Sequence, residues 1–206
     1  GEWVSDGDPG RRGDSNKVSL GASIGGGIRR RLEDGRWMVK RGVLSFDEPA
    51  VMPERDEIAV IGSLPYLDAD RWRALLAGDE DGGMPITLNL KVAALDFAGR
   101  RVNHLGIRAE KSSGAWRAEV AATEFAGDID WQPEGRGRIK ARLKRFALPE
   151  AAPGVAEGEA PARDIPSLDI VADTLLMGDK SLGRLELDAV NEAGDLRIKK
   201  LVLSNP

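Results

Sequence analysis

Apolar and polar residues alternate along much of the chain after residue 85, and this pattern predicts β-strands with one apolar face. Leu88, Leu90 and Val92 alternate with Asn89 and Lys91. The same period of two recurs in three further segments, 105–109, 116–120 and 139–143. A period of two with one polar face is typical of antiparallel sheets. We therefore predict a mainly β fold of repeated antiparallel β-meanders, which form an elongated curled sheet or groove.

Short glycine-containing sequences separate the predicted strands and mark the turns. Asp34-Gly35 has the composition of a two-residue hairpin turn. Ser112-Ser113-Gly114 and the segment 134–137 each carry glycine where a tight connection needs it. These sequences predict tight turns between the strands.

One segment has the period of a helix. Asp68 is a suitable N-cap, and Trp72, Leu75 and Leu76 fall on one face. The spacing predicts one short amphipathic helix over residues 68–78, packed against the sheet.

The pattern of apolar positions repeats after 80 residues. Leu88, Leu105 and Ala109 meet identical residues at positions 168, 185 and 189 when the chain is shifted by this amount. The order of strand, turn and strand is the same in both copies. A repeated β-meander cannot bury its apolar face alone, so we expect the two copies to stack on each other.

Changes in composition and period divide the chain into six segments. The stretch 149–166 holds four prolines and has no apolar period, which is typical of a flexible linker. The predicted segments are a mobile N-terminal segment (1–17), a β segment (18–67), the helix (68–78), β-repeat 1 (84–148), the flexible linker (149–166) and a truncated β-repeat 2 (167–206).

Composition excludes several classes of function. The chain has no cysteine and one histidine, His104, so thiolate sites and multi-histidine metal sites are excluded. The 30 Lys and Arg against 34 Asp and Glu give a net charge of −4, which disfavours nucleic acid as a partner. No apolar stretch approaches the length that spans a bilayer. We expect no metal, no cofactor and no enzymatic activity.

Several motifs carry a resemblance to a known family. The run Pro166–Ile170, followed by Leu182–Leu187 and Gly194–Ile198, resembles the repeating unit of YhdP-type proteins in the AsmA-like group of Gram-negative envelope proteins. Leu64-Pro65-Tyr66-Leu67-Asp68 and the motif around Trp37 resemble segments that precede that unit. The resemblance covers roughly residues 28–206.

This resemblance implies a place and a role for the chain. It implies a segment of a long periplasmic β-structure whose parent protein is anchored in the inner membrane. It also implies phospholipid transport between the inner and outer membranes, with phospholipid acyl chains as the partner. Contact with the membranes is expected through parts of the parent protein outside this sequence.

The candidate lipid-binding residues are the apolar positions of the predicted strands. They are Leu88, Leu90, Val92, Leu105, Ile107, Ala109, Ile139, Leu143, Leu168, Ile170, Leu185 and Leu187. An open trough lined by these side chains accepts acyl chains without specific chemistry. A closed core made of the same side chains instead indicates a structural or protein-binding scaffold of the cell envelope. Linear spacing does not distinguish the two arrangements.

Overall fold

The computed structural model describes residues 2–6, 13–20, 23–71, 84–97, 99–151, 153, 166–192 and 195–205, and these residues form one sheet of 14 strands. The strands are β1 (Glu2–Asp6), β2 (Gly13–Leu20), β3 (Ile24–Glu33), β4 (Arg36–Phe46), β5 (Ile58–Asp68), β6 (Ile86–Phe97), β7 (Arg100–Ser112), β8 (Ala115–Ala121), β9 (Phe125–Gln132), β10 (Arg138–Ala147), β11 (Glu150–Ala151), β12 (Ser167–Met177), β13 (Lys180–Glu192) and β14 (Asp195–Ser204). They follow one another in chain order across the sheet, except that β11 pairs with β7. The predicted mainly β class is confirmed.

The two predicted meanders are antiparallel, and parallel pairs connect them to the rest of the sheet. Strands β6 to β10 pair antiparallel, as do β12 to β14. The pairs β4–β5, β5–β6 and β10–β12 are parallel. Each parallel pair follows a connection of more than ten residues, which a chain needs in order to return to the same end of the sheet.

The predicted hairpin turns are confirmed. Asp34 and Gly35 have φ values of 50° and 75°, and Ser113 and Gly114 have φ values of 50° and 78°. Two successive left-handed residues form the type I′ turn, whose twist matches that of the flanking strands.

The predicted helix lies largely outside the described residues. Its first turn, residues 69–71, follows β5 directly. Asp68 caps this turn, because its Oδ1 accepts a hydrogen bond from the Arg71 backbone N–H at 3.1 Å. The predicted apolar face of Trp72, Leu75 and Leu76 lies outside the described residues.

The other predicted boundaries stay predictions. Strands β1 and β2 occupy parts of the segment expected to be mobile. Most of the predicted linker lies outside the described residues, and its start includes β11.

The 80-residue repeat is present in the structure. Strand β13 begins 80 residues after β7. Leu88 pairs with Ala109 in the first copy, and Leu168 pairs with Ala189 in the second. The two copies therefore share their strand register as well as their sequence pattern.

Glycines allow very close approach of neighbouring backbones inside the sheet, and Gly127 and Gly62 are two examples. Gly127 of β9 has a φ of 149°, and a side chain there would overlap the carbonyl oxygen of Arg142 in β10. Next to it the pairing shifts between Leu143 and Arg145, which is a β-bulge. Gly62 of β5, with a φ of 116°, approaches Phe46 of β4 in the same way. Glycines and bulges at such places bend a strand and increase its twist.

Candidate functional site

Strand register places the apolar side chains in rows that cross the sheet from strand to strand on one face. We number the rows along the direction of β6. Row 1 contains Ile58, Ile86, Lys111, Trp116, Trp131, Ile139, Leu168, Ala189 and Ile198. Row 2 contains Leu44, Val60, Leu88, Ala109, Ala118, Ile129, Ala141, Ile170, Leu187 and Leu201. Row 3 contains Ile24, Phe46, Gly62, Leu90, Ile107, Val120, Gly127, Leu143, Ala172, Leu185 and Leu203. Row 4 contains Leu64, Val92 and Leu105.

All twelve candidate residues lie in these four rows, so the structure brings them together on one face. Half of them are buried, namely Leu90, Val92, Leu105, Ala109, Leu143 and Leu185. The other half keep part of their surface accessible, namely Leu88, Ile107, Ile139, Leu168, Ile170 and Leu187.

Accessibility changes from one side of the apolar face to the other. In row 4, Val92 and Leu105 are buried, at 1% and 5% exposed. Large aliphatic side chains such as Leu88, Ile139 and Leu187, in rows 1 and 2, are half-buried. The face therefore combines a packed side with an accessible side.

The apolar face is continuous over most of the sheet. One core cluster surrounds Val92 and Leu105, and a second surrounds Leu143 and Leu185. Phe125 and Ile129 pack against both clusters and connect them. All described strands belong to one sheet, so no second sheet within the described residues covers this face.

One cation interrupts the apolar rows. Lys111 of β7 lies in row 1 between Ile86 and Trp116, and Trp116 pairs with Trp131 on the next strand. The lysine is half-buried, and it has no hydrogen bond or ion pair to another described residue. We did not predict a cation on the apolar face, although Lys111 continues the alternation of Ile107 and Ala109 by one step.

The opposite face of the sheet is charged across β7 to β12. Across β7 to β12, one row of that face reads Glu110, Arg117, Asp130, Lys140 and Asp169. The neighbouring ion pairs include Arg117–Asp130 at 3.5 Å and Arg142–Asp169 at 2.9 Å. Arg142 donates hydrogen bonds to Asp169 and so lowers the pKa of that carboxyl.

This charged face also contains a shallow concavity of about 770 Å³. Its lining includes Glu110, Arg117, Asp130, Arg138, Lys140 and Asp169. Desolvating so many charged groups is costly, so this concavity is unsuited to acyl chains.

A polar cluster fixes the sheet at the far end of β6. The Arg101 guanidinium donates two hydrogen bonds of 2.8 Å to Asp96, and the Tyr66 hydroxyl donates a third at 3.0 Å. The hydrogen bonds from Arg101 hold the pKa of Asp96 below its usual value. The bond to the Asp96 carboxylate raises the pKa of Tyr66.

Within the described part of the chain, we find no helix with the length and apolarity that a bilayer span requires.

Comparison with known proteins gives one result. A family model described as "YhdP protein" matches residues 3–206 of the chain. No curated protein and no solved structure shows a significant match to the chain.

Proposed function

This chain belongs to the YhdP family, and from this premise we propose that it is a segment of a non-enzymatic β-groove that conducts lipid in the periplasm. In this role it takes part in phospholipid transport between the inner and outer membranes, as part of a parent protein held in the inner membrane. The observation that carries the proposal is the continuous apolar face, whose rows 1 and 2 keep large aliphatic side chains accessible on β5, β6, β9, β10 and β12 to β14.

Acyl chains suit this face energetically. Burying one CH₂ group contributes about 0.8 kcal/mol, so contact with five methylenes contributes about 4 kcal/mol. An interaction of that size corresponds to millimolar affinity, so a lipid that makes it can exchange readily. Row 2 holds only apolar side chains from β4 to β14, so acyl chains can move along it past Lys111 of row 1 without crossing a polar side chain.

Row 1 offers a place for the lipid headgroup. Lys111 can bind a phosphate while its methylene stem packs beside Ile86. Trp116 pairs with the lysine and is buried, and Trp131 on the next strand is half-buried. Tryptophan is favoured where an apolar phase meets a polar one, which suits the position of Trp131. The acyl chains then lie toward row 2, and the phosphate stays at the row that includes the lysine.

A second candidate function is a structural or protein-binding scaffold of the envelope that carries no lipid. The burial of Leu90, Val92 and Leu105 favours it, since these side chains are packed as in an ordinary core. The two functions differ in what contacts the half-buried side chains of rows 1 and 2.

Photo-crosslinking in cells tests the proposal. A photoreactive amino acid is placed at Leu88, which faces the apolar side, or at its neighbour Asn89, which faces the charged side. The expected result is a phospholipid adduct at position 88 and none at position 89. Adducts to protein alone at position 88 would refute lipid conduction and favour the scaffold. The thermal unfolding of each variant shows whether it is folded.

A further inference from the structure

The hairpin of β3 and β4 projects beyond the strands beside it. Pairing between β4 and β5 begins only at Gly42, so residues 36–41 of β4 have no strand partner on that side among the described residues. On the other side, pairing between β2 and β3 ends at Arg31. We call residues 28–41 the cationic arm.

The cationic arm has a charge opposite to that of the whole chain. It holds six cations and two acids, whereas the chain has a net charge of −4. Lys40 pairs with Glu33 at 2.8 Å, and Arg41 pairs with Asp56 at 3.0 Å. The remaining exposed arginines, Arg29, Arg31 and Arg36, have no ion pair with another described residue.

The same arm exposes large apolar side chains. Trp37 is 50% exposed, Met38 48%, and Leu32 and Val39 38% each. Register pairs Leu32 with Trp37 on one side of the hairpin, and the Arg30 guanidinium lies 5.5 Å from the Trp37 ring centre. Register also pairs Arg30 with Val39, so Arg30 shares the face of Leu32 and Trp37, whereas Arg29, Arg31 and Arg36 point to the opposite face. A hairpin with apolar side chains on one face and arginines on the other has the composition of a segment that enters a membrane interface.

The arm is also continuous with the apolar face. Ile28 pairs with Gly42, and Gly42 pairs with Ile58, which begins row 1. The apolar side of the arm therefore extends row 1 beyond β5.

We propose that the cationic arm docks on an anionic phospholipid surface. The hairpin enters the headgroup layer tip first, so that Trp37, Leu32 and Val39 insert from one face. The arginines of the opposite face, Arg29, Arg31 and Arg36, contact lipid phosphates. The exposed apolar side chains favour a bilayer over nucleic acid, because phosphate contacts alone would not require them. This inference does not depend on lipid conduction by the rows.

Vesicle co-sedimentation with the purified chain tests the docking. The vesicles are phosphatidylcholine alone, or phosphatidylcholine with one third phosphatidylglycerol. We expect binding to the anionic vesicles, and the triple variant R29Q/R31Q/R36Q should weaken it by about 100-fold, at about fivefold per arginine. Thermal unfolding confirms that each variant is folded.

Two further variants identify the cause of any loss. The control R108Q/R117Q/R197Q removes the same charge from exposed side chains elsewhere on the sheet, and it should bind as the natural chain does. Trp37→Ser keeps the charge and should weaken binding several-fold.

Three outcomes would overturn the proposal. The first is that the natural chain does not bind the anionic vesicles. The second is an equal loss of binding in the control triple variant. The third is that Trp37→Ser binds unchanged while heparin competes fully, which would identify a general polyanion site. None of these outcomes bears on the crosslinking at Leu88, so this inference and the proposed function fail separately.

Discussion

Replacing Gly127 with alanine tests the close backbone approach that bends the sheet. Its φ of 149° is unfavourable for alanine, and such strain costs about 1–3 kcal/mol. The new Cβ would also overlap the Arg142 carbonyl, so β10 must move. Losing one or two of its hydrogen bonds adds about 1 kcal/mol each. We expect G127A to lower the free energy of unfolding by about 3 kcal/mol.

The assay is urea and thermal unfolding followed by circular dichroism. For a chain of this size, a loss of about 3 kcal/mol corresponds to a fall in Tm of about 6–12 °C. Gly106→Ala is the matched control, because Gly106 also lies in a strand but its added Cβ would meet only the Ala121 carbonyl at 3.7 Å. The control should be neutral or up to about 1 kcal/mol more stable. If the free energies of unfolding of G127A and G106A differ by less than about 0.5 kcal/mol, the close backbone approach at Gly127 is refuted.

Three other perturbations address single residues. Arg101 lowers the pKa of Asp96 in the folded chain, so this carboxylate adds stability above about pH 4 that is lost as the pH falls through the folded pKa. The urea midpoints of the natural chain and Asp96→Asn should therefore converge on going from about pH 6 to about pH 3, and a constant difference would contradict this. Leu185→Ala should cost about 2–5 kcal/mol in unfolding experiments, whereas Leu203→Ala, at a position 52% exposed, should cost under about 1 kcal/mol; similar costs would show that the burial is misassigned. Lys111→Leu should keep the chain folded but reduce phospholipid adducts from position 88, and undiminished adducts would exclude a headgroup role for the lysine.

The face of each strand could be predicted from the sequence, because alternation alone decides which side chains point the same way. Leu88, Leu90 and Val92 lie on one face as predicted, and Asp34-Gly35 forms its hairpin. The repeat could be predicted as well, because the same apolar positions return after 80 residues.

The parallel pairs were not predicted, because alternation specifies a face and not the direction of the neighbouring strand. The lengths of the connections could have indicated the parallel pairs, since the connections 47–57, 69–85 and 148–166 are too long for tight turns. The sequence also did not predict which apolar residues of the site are buried. Leu88 and Leu90 have the same spacing and chemistry, yet only Leu90 is buried, because exposure depends on how the sheet curves.

The register of the two repeats has a geometric consequence. Leu88 lies in row 2, whereas its equivalent Leu168 lies in row 1, so each repeat is displaced by two residues along the strand direction. Because the displacement is an even number of residues, a side chain on the apolar face in one repeat has its equivalent on the same face in the other repeat. Five strand spacings separate β6 from β12, which is about 24 Å across the sheet against about 7 Å along it. The line that joins equivalent side chains is therefore inclined by about 15° to the direction that runs across the strands. A molecule that followed equivalent side chains along the curled sheet would take a helical path rather than a straight one.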